Sequence, residues 1–145
     1  MPHAQTIQSP GANIRIVFRT PDHCPPHVHA FDKAQQWEFR VFFSYVSTEI
    51  AFEIKFGTPK KSHIENVMNY VLNNLPKFRK NWWDVFGKVC LKNTYIKVSK
   101  TGIASVAKPN DLGAVKILTA KYDDITRSIH FQQNGIAGCQ VATCP

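Results

Sequence analysis

Cysteine is scarce in this sequence of 145 residues, with one each at Cys24, Cys90, Cys139 and Cys144. The four form no Cys-x-x-Cys pair, which excludes a dithiol redox motif and the common paired-cysteine zinc sites. A small secreted scaffold that depends on disulfides carries cysteine at a higher density. We therefore expect free thiols in a reducing compartment.

Long apolar runs are also lacking. No run approaches the roughly 20 residues that a membrane-spanning helix needs. The first residues show no basic region followed by an apolar core, so a secretory signal is not expected. A glycine-rich phosphate loop and a nucleophile elbow are absent as well. Together these absences predict a soluble, cytoplasmic protein with no membrane partner.

Acidic residues are few, at 10 against 18 lysines and arginines, which gives a net charge of +8. The excess lies in the middle of the chain, because residues 55–121 hold 13 basic and 3 acidic side chains. A basic stretch favours polyanions or acidic protein surfaces, although solubility alone is the alternative explanation. We expect nucleic acid or a nucleoprotein complex as the partner, with a cognate protein as a further candidate.

Alternating apolar residues predict β-strands in the first part of the chain. The pattern marks three segments: residues 13–19, 37–43 and 48–56. In the last segment Phe52, Ile54 and Phe56 share one face with Ile50. An antiparallel three-strand meander follows from these segments. Residues 1–11 are expected to be a loose tail.

Helical spacing begins after residue 60. Ser62 and Glu65 form a capping-box pattern, and apolar residues then recur at helical spacing up to Leu75. Pro76 should end, kink or restart the helix, and a second apolar stripe follows it.

Further strands are expected near the C-terminus, over residues 95–98, 115–121 and 125–131, with the last two forming a hairpin around Asp123 and Asp124. The fold class is therefore α+β: an antiparallel meander with two helices packed on one face and a C-terminal β-hairpin. The turn from Lys108 to Gly113 predicts a main domain over residues 1–107 and a small β appendage over residues 108–145.

Three histidines lie within seven residues, at His23, His27 and His29. On an extended chain, imidazoles two residues apart point the same way, so His27 and His29 can converge, and a proline bend could bring His23 back to them. Asp22 and Cys24 add potential ligands.

Three chemistries remain open for this segment. Three imidazole nitrogens with an open position suit catalytic zinc or another divalent transition metal. Neutral histidine also suits general acid–base catalysis. The histidines could instead only hold the loop. Cys24 beside them is either a thiolate nucleophile or a packed thiol.

A candidate surface for nucleic acid or another partner comprises basic and aromatic residues around the helices: Lys60, Lys61, Lys77, Arg79, Lys80 and Trp83. Interleaved cations and aromatic rings can neutralise phosphates and stack on bases. The alternatives are a core role for Trp82, a helix-rim position for Trp83 and simple solvation of the lysines.

The run from Asp22 to Ala30 resembles the His-x-Pro-Pro-His-x-His signature of small bacterial proteins classed as domain of unknown function 4160. A second likeness is the helical spacing of Tyr70, Asn74, Phe78 and Trp82. The resemblance covers roughly residues 12–87. It implies a toxin–antitoxin or mobile-element defence context, because members are often encoded beside genes of that kind.

These observations favour a basic interaction module of a toxin–antitoxin or anti-defence system that binds nucleic acid or a nucleoprotein. The alternative is a small ribonuclease-like enzyme, dependent on a metal or on histidine, that uses His23, His27 and His29.

Overall fold

The computed structural model describes residues 4–20 and 22–145. The chain divides into two compact units. The first comprises Met1–Phe43 and Glu49–Phe78, and the second comprises Ser44–Thr48 and Arg79–Pro145. The expected separation of residues 108–145 from residues 1–107 stays a prediction, although residue 108 falls between two strands of one sheet.

The first unit contains a five-stranded antiparallel sheet whose strands follow one another in chain order. Its strands are β1 (Gln5–Ser9), β2 (Ala12–Val17), β3 (His27–Asp32), β4 (Trp37–Phe42) and β5 (Ala51–Phe56). The predicted antiparallel meander is confirmed, but the first two of its three expected strands, β2 and β4, are separated by β3 instead of pairing with each other. The expectation of a loose tail is wrong, because β1 pairs with β2 through its whole length. Strand β3, which starts directly after Pro26, was not predicted.

One face of this sheet carries the first helix and the start of the second. Helix α1 (Lys61–Asn73) buries Ile64, Val67 and Val71, and its His63 ring stacks on Trp37 of β4 at 5.7 Å. The predicted Ser62 cap is wrong. The helix begins at Lys61, the cap position is Lys60, and no side-chain capping bond is found there among the described residues.

Pro76 restarts the helix, one of the three outcomes that its position allowed. Helix α1 ends at Asn73, the Asn74 backbone N–H donates to Tyr70 and Val71, and α2 (Leu75–Phe86) follows at once. Proline is tolerated in a first helical turn because the amide hydrogen it lacks has no partner there. Phe78 of α2 packs against Phe18 and Phe43 on the same sheet face as α1.

The second unit contains another five-stranded antiparallel sheet, in the order β10-β9-β8-β6-β7. Its strands are β6 (Tyr95–Val98), β7 (Ala104–Val106), β8 (Val115–Asp123), β9 (Ser128–Gln133) and β10 (Cys139–Thr143). Strands β8 and β9 form the predicted C-terminal hairpin, although β9 starts three residues later than expected. The α+β fold class with antiparallel sheets is thus confirmed.

Two observations bear on the surface. Every residue of β5 is exposed, including Phe52, Ile54 and Phe56. The prediction that these three share one face is wrong for Phe56, because a bulge makes Lys55 an extra residue and sets Phe56 opposite Glu38, whereas Ile54 lies opposite Phe39. Within the described residues, neither α1 nor α2 is long and apolar enough to cross a bilayer.

Candidate functional site

Strand β3 places two of the predicted histidines side by side. His27 and His29 lie opposite Phe42 and Arg40 of β4, on the sheet face away from Trp37 and α1. Their rings are 5.0 Å apart between centroids, and both side chains are almost fully buried. The expected convergence of these two residues is confirmed. Its physical reason is that residues two positions apart on a strand point to the same face of the sheet.

Asp22 completes the cluster from the loop before β3. Its Oδ2 accepts a hydrogen bond from the backbone N–H of Arg19 at 2.7 Å, which fixes the carboxylate. Its Oδ1 lies 2.9 Å from Nε2 of His29 and 3.4 Å from Nε2 of His27. One ligand atom from each of Asp22, His27 and His29 lies within 4.8 Å of the other two, a grouping that could hold a metal ion.

The other ring nitrogens also face acceptors. Nδ1 of His27 donates to the carbonyl oxygen of Pro25 at 2.8 Å, so the neutral ring carries its lone pair on Nε2. Nδ1 of His29 lies 3.2 Å from Oε2 of Glu38. In metal sites, the N–H of the second ring nitrogen of a ligating histidine almost always donates to a carbonyl or carboxylate oxygen in this way.

Glu38 links the cluster to two cations. Arg19 contacts both of its carboxylate oxygens, at 2.6 and 2.8 Å, and Nζ of Lys55 lies 3.4 Å away. Burial favours the protonated acid, but Arg19 and then His29 outweigh it and hold the pKa of Glu38 below its ordinary value. Glu38 is therefore ionised at neutral pH and acts as an acceptor only.

His29 faces more hydrogen-bond acceptors than a neutral imidazole has N–H groups. Both ring nitrogens face carboxylates, Asp22 at 2.9 Å and Glu38 at 3.2 Å, whereas a neutral imidazole has one N–H to give. Arg19 Nη1 is 3.5 Å from Nδ1 and is at best a weak donor to it. A neutral ring can donate from Nε2 to Asp22 and accept at Nδ1 from Arg19, or it can donate from Nδ1 to Glu38 and leave the lone pair of Nε2 for a cation.

Burial also affects His27. Loss of hydration lowers the pKa of His27 below its ordinary value, although the Pro25 carbonyl and Asp22 act in the opposite direction. The neutral imidazole is the form that binds metals, because the ligating nitrogen must be deprotonated.

His23 does not join the cluster. Its side chain is exposed and its ring lies 6.4 Å from that of His27, so its predicted catalytic and metal-binding role is not supported by the geometry. Asp22, its neighbour in sequence, occupies the third position instead. The loop turns His23 outward, and this orientation has no signature in the spacing of the histidines.

The cysteine predictions need correction. Cys24 and Cys90 are disulfide-bonded, so Cys24 is not a thiolate nucleophile, and free thiols remain only at Cys139 and Cys144. Cys144 is buried, and loss of hydration raises the pKa of its thiol to about 11.

The basic candidates of the first unit lie on or directly beside a helix. Lys60 and Lys61 are exposed at the start of α1, where Lys61 pairs with Glu65 at 3.6 Å. Lys77, on α2, is exposed and donates to Oε1 of Gln5 at 3.2 Å. All three ammonium groups remain accessible to a partner.

The candidate residues of the second unit differ in how far they are exposed to solvent. Arg79 is only 2% exposed, and its guanidinium donates to the carbonyls of Ser44, Ser47 and Pro145. It therefore has no face to present to a nucleic acid, contrary to the prediction. Lys80 is exposed and pairs with Asp84 at 2.6 Å, while Trp83 is half-buried.

A pocket of about 520 Å³ lies next to the cluster and was not predicted. Arg19 and Glu38 belong to its wall, together with Phe31, Lys33, Trp37 and Phe56. Arg19 and Glu38 were also missed as site residues. The available signal was weak: both are charged residues on or beside strands that flank His29.

No known family, curated protein or solved structure matches this chain. The resemblance to domain of unknown function 4160 therefore stays a prediction.

Proposed function

We propose that the protein is a small metal-assisted, ribonuclease-like enzyme whose centre is formed by Asp22, His27 and His29. One observation carries the proposal: Nε2 of both histidines faces Oδ1 of Asp22, while both Nδ1 atoms face acceptors. A cation held by Oδ1 of Asp22 and Nε2 of both histidines would fit this arrangement, because each Nδ1–H then has an acceptor of its own.

The donor set suits the metal class expected from the sequence. Two imidazole nitrogens and one carboxylate oxygen are typical ligands of zinc and other divalent transition metals, and they leave positions for water or substrate. A metal held there would lower the pKa of a bound water and polarise a phosphate oxygen. Glu38 would orient His29, and the Pro25 carbonyl would orient His27.

A phosphodiester substrate is supported by charge. The net charge of +8 and the accessible Lys60, Lys61 and Lys77 favour a polyanion. A toxin–antitoxin or anti-defence context rests only on the family resemblance. The second candidate, a basic module that binds nucleic acid or a nucleoprotein without cutting it, rests on the same charges and needs no metal.

Metal binding and turnover can be tested in the same variants. Calorimetric titration of the metal-stripped protein with Zn²⁺ should give one site per chain, and Zn²⁺ should induce cleavage of a single-stranded RNA. His27→Gln, His29→Asn and Asp22→Asn should each lose binding at least tenfold and lose cleavage. His23→Ala is the matched control, because it removes an imidazole next to the centre.

The outcomes separate the hypotheses. Equal loss in His23→Ala, or unchanged binding in the three centre variants, would overturn the metal centre. Metal binding without cleavage of RNA or DNA would exclude the enzyme and support the second candidate, a module that binds nucleic acid without cutting it. Variants that only melt at lower temperature, in a protein that binds no metal, would point to a purely structural histidine loop. Circular dichroism of each variant checks that it folds.

A cytoplasmic location also remains a proposal, and the disulfide-bonded state of Cys24 and Cys90 stands against it, since disulfides are rare in the cytosol. Alkylation of thiols in intact cells, followed by mass analysis of the protein, decides the point. Four alkylated cysteines support the cytoplasm, and two support an oxidising compartment.

A further inference from the structure

The sheet face away from α1 carries a row of side chains next to the candidate metal centre. This row, the Phe31 row, holds one residue from each of the five strands, paired directly across the sheet: Thr6, Arg15, Phe31, Glu38 and Phe56. His29 and its cross-strand partners Val17 and Arg40 each lie two residues along their strands from this row. Two residues of a strand span about 7 Å, so the Phe31 row and the His29 row are neighbours on one face.

Two pockets lie along the Phe31 row. The pocket of about 520 Å³ is lined in part by Phe31, Glu38 and Phe56, and a second pocket of about 390 Å³ is lined in part by Arg15 and Phe31. Lys33 also lines both, so the two pockets adjoin at Phe31 and Lys33. Each volume lies in the range of sites that hold small organic groups.

The row exposes aromatic rings beside these pockets. Phe56 is 54% exposed, and Phe31 is half-buried with the guanidinium of Arg19 at 5.2 Å from its ring centroid. The bulge in β5 brings Phe56 to this face, whereas Phe52 of the same strand lies opposite Val41, on the face of α1. Exposed aromatic rings on a sheet, next to cations, can stack on the bases of single-stranded RNA.

The charges beside the rings favour an anion. Arg15 and Lys33 are exposed, and neither pairs with a carboxylate in the part of the chain that the structure describes. The two carboxylates that line the pockets are already engaged, because Asp32 accepts hydrogen bonds from two backbone N–H groups and Glu38 pairs with Arg19. Unpaired cations beside phenylalanine rings complement a chain of phosphates that carries bases.

We propose that the Phe31 row is the substrate-binding surface of the same centre: single-stranded RNA binds with its bases against Phe31 and Phe56 and its phosphates against Arg15 and Lys33. The choice of RNA as the ligand rests on the proposed function. None of these four side chains belongs to the set of metal ligands, so the surface binds RNA with or without a metal.

The test is fluorescence anisotropy of a labelled single-stranded RNA hexanucleotide with the metal-stripped protein, so that metal-dependent cleavage does not consume the RNA. The wild type should bind. Phe56→Ala should weaken binding about tenfold, because a stacking ring is lost, and should keep the slope of log affinity against log salt. Phe52→Ala is the matched control, since it removes a similarly exposed ring from the opposite face of the same strand and should bind like the wild type.

The cations should change the salt dependence instead. Arg15→Gln and Lys33→Gln should each reduce the slope by about 1, because each removes a phosphate contact. Lys100→Gln, at another exposed position, should leave the slope unchanged. A wild type that binds no RNA, a Phe56→Ala affinity equal to that of Phe52→Ala, or displacement of the RNA by polyglutamate as readily as by unlabelled RNA would each overturn the proposal.

Zinc titration of the same variants separates this surface from the metal centre. Phe56→Ala should keep the zinc affinity of the wild type, and circular dichroism checks that it folds. Weaker RNA binding by Phe56→Ala, in a protein that binds no zinc, would support the surface and overturn the centre. Zinc binding and cleavage by the wild type, with RNA affinity unchanged in Phe56→Ala and Arg15→Gln, would overturn the surface alone.

Discussion

Individual side chains decide what the centre can bind. His27 and His29 could be paired from the sequence because positions two apart on a strand share a face. Their partners could not be predicted, because Arg19 and Glu38 reach His29 only through the registers of β2, β3 and β4. The outward turn of His23 depends on the loop conformation, which short-range patterns do not determine.

Glu38 is the residue whose loss should have the widest effect. Glu38→Gln removes the negative charge that Arg19, His29 and Lys55 share. We expect a loss of about 2 kcal/mol in the free energy of unfolding, moderated because Arg19 is partly hydrated. Zinc affinity should fall about 10–100-fold, since His29 loses its orienting acceptor.

Urea denaturation and zinc titration measure the two effects of Glu38→Gln. Glu65→Gln is the control, because its carboxylate is exposed and pairs only with Lys61 among the contacts described. Unchanged zinc affinity in Glu38→Gln would show that Glu38 does not orient His29 for metal binding.

Helices and strands differed in how well the sequence revealed them. The alternation in β2 and β4 and the apolar stripe of α1 reflect burial on one face, and both were predicted. Strand β1 was missed because Ser9-Pro10-Gly11 suggested a loose tail, yet Gly11 with its φ of 84° makes the turn into β2. In β5 the same alternation marks an exposed edge, because burial depends on neighbours that the pattern does not contain.

The first turn of α1 offers a prediction of its own. Lys60 occupies the cap position in extended conformation, and the turn holds no acidic residue. Lys60→Asp should stabilise the protein by about 1 kcal/mol, because aspartate can accept from the free N–H groups and favours the helix dipole.

Lys60→Glu separates the two contributions at this helix start. Glutamate brings the same charge but is a poor cap, so it should give a smaller gain, about 0.5 kcal/mol. Thermal unfolding of both variants checks the prediction, and equal gains would show that no capping bond forms.

At the scale of the whole molecule, charge should govern binding to nucleic acid. The affinity for single-stranded RNA should fall steeply with salt, because neutralised phosphates release counterions. Alanine at Lys60, Lys61 or Lys77 should each reduce the slope of log affinity against log salt by about 1. Fluorescence anisotropy measures this slope, with exposed Lys100→Ala as the control; a salt-independent affinity would contradict the role of charge.

The most direct test of the central claim is X-ray absorption spectroscopy of the zinc-loaded protein. We predict nitrogen and oxygen ligands at about 2.0–2.1 Å with scattering from two imidazoles, one of which disappears in His29→Asn. A sulfur ligand at about 2.3 Å, or a spectrum without imidazole scattering, would contradict a centre formed by Asp22, His27 and His29.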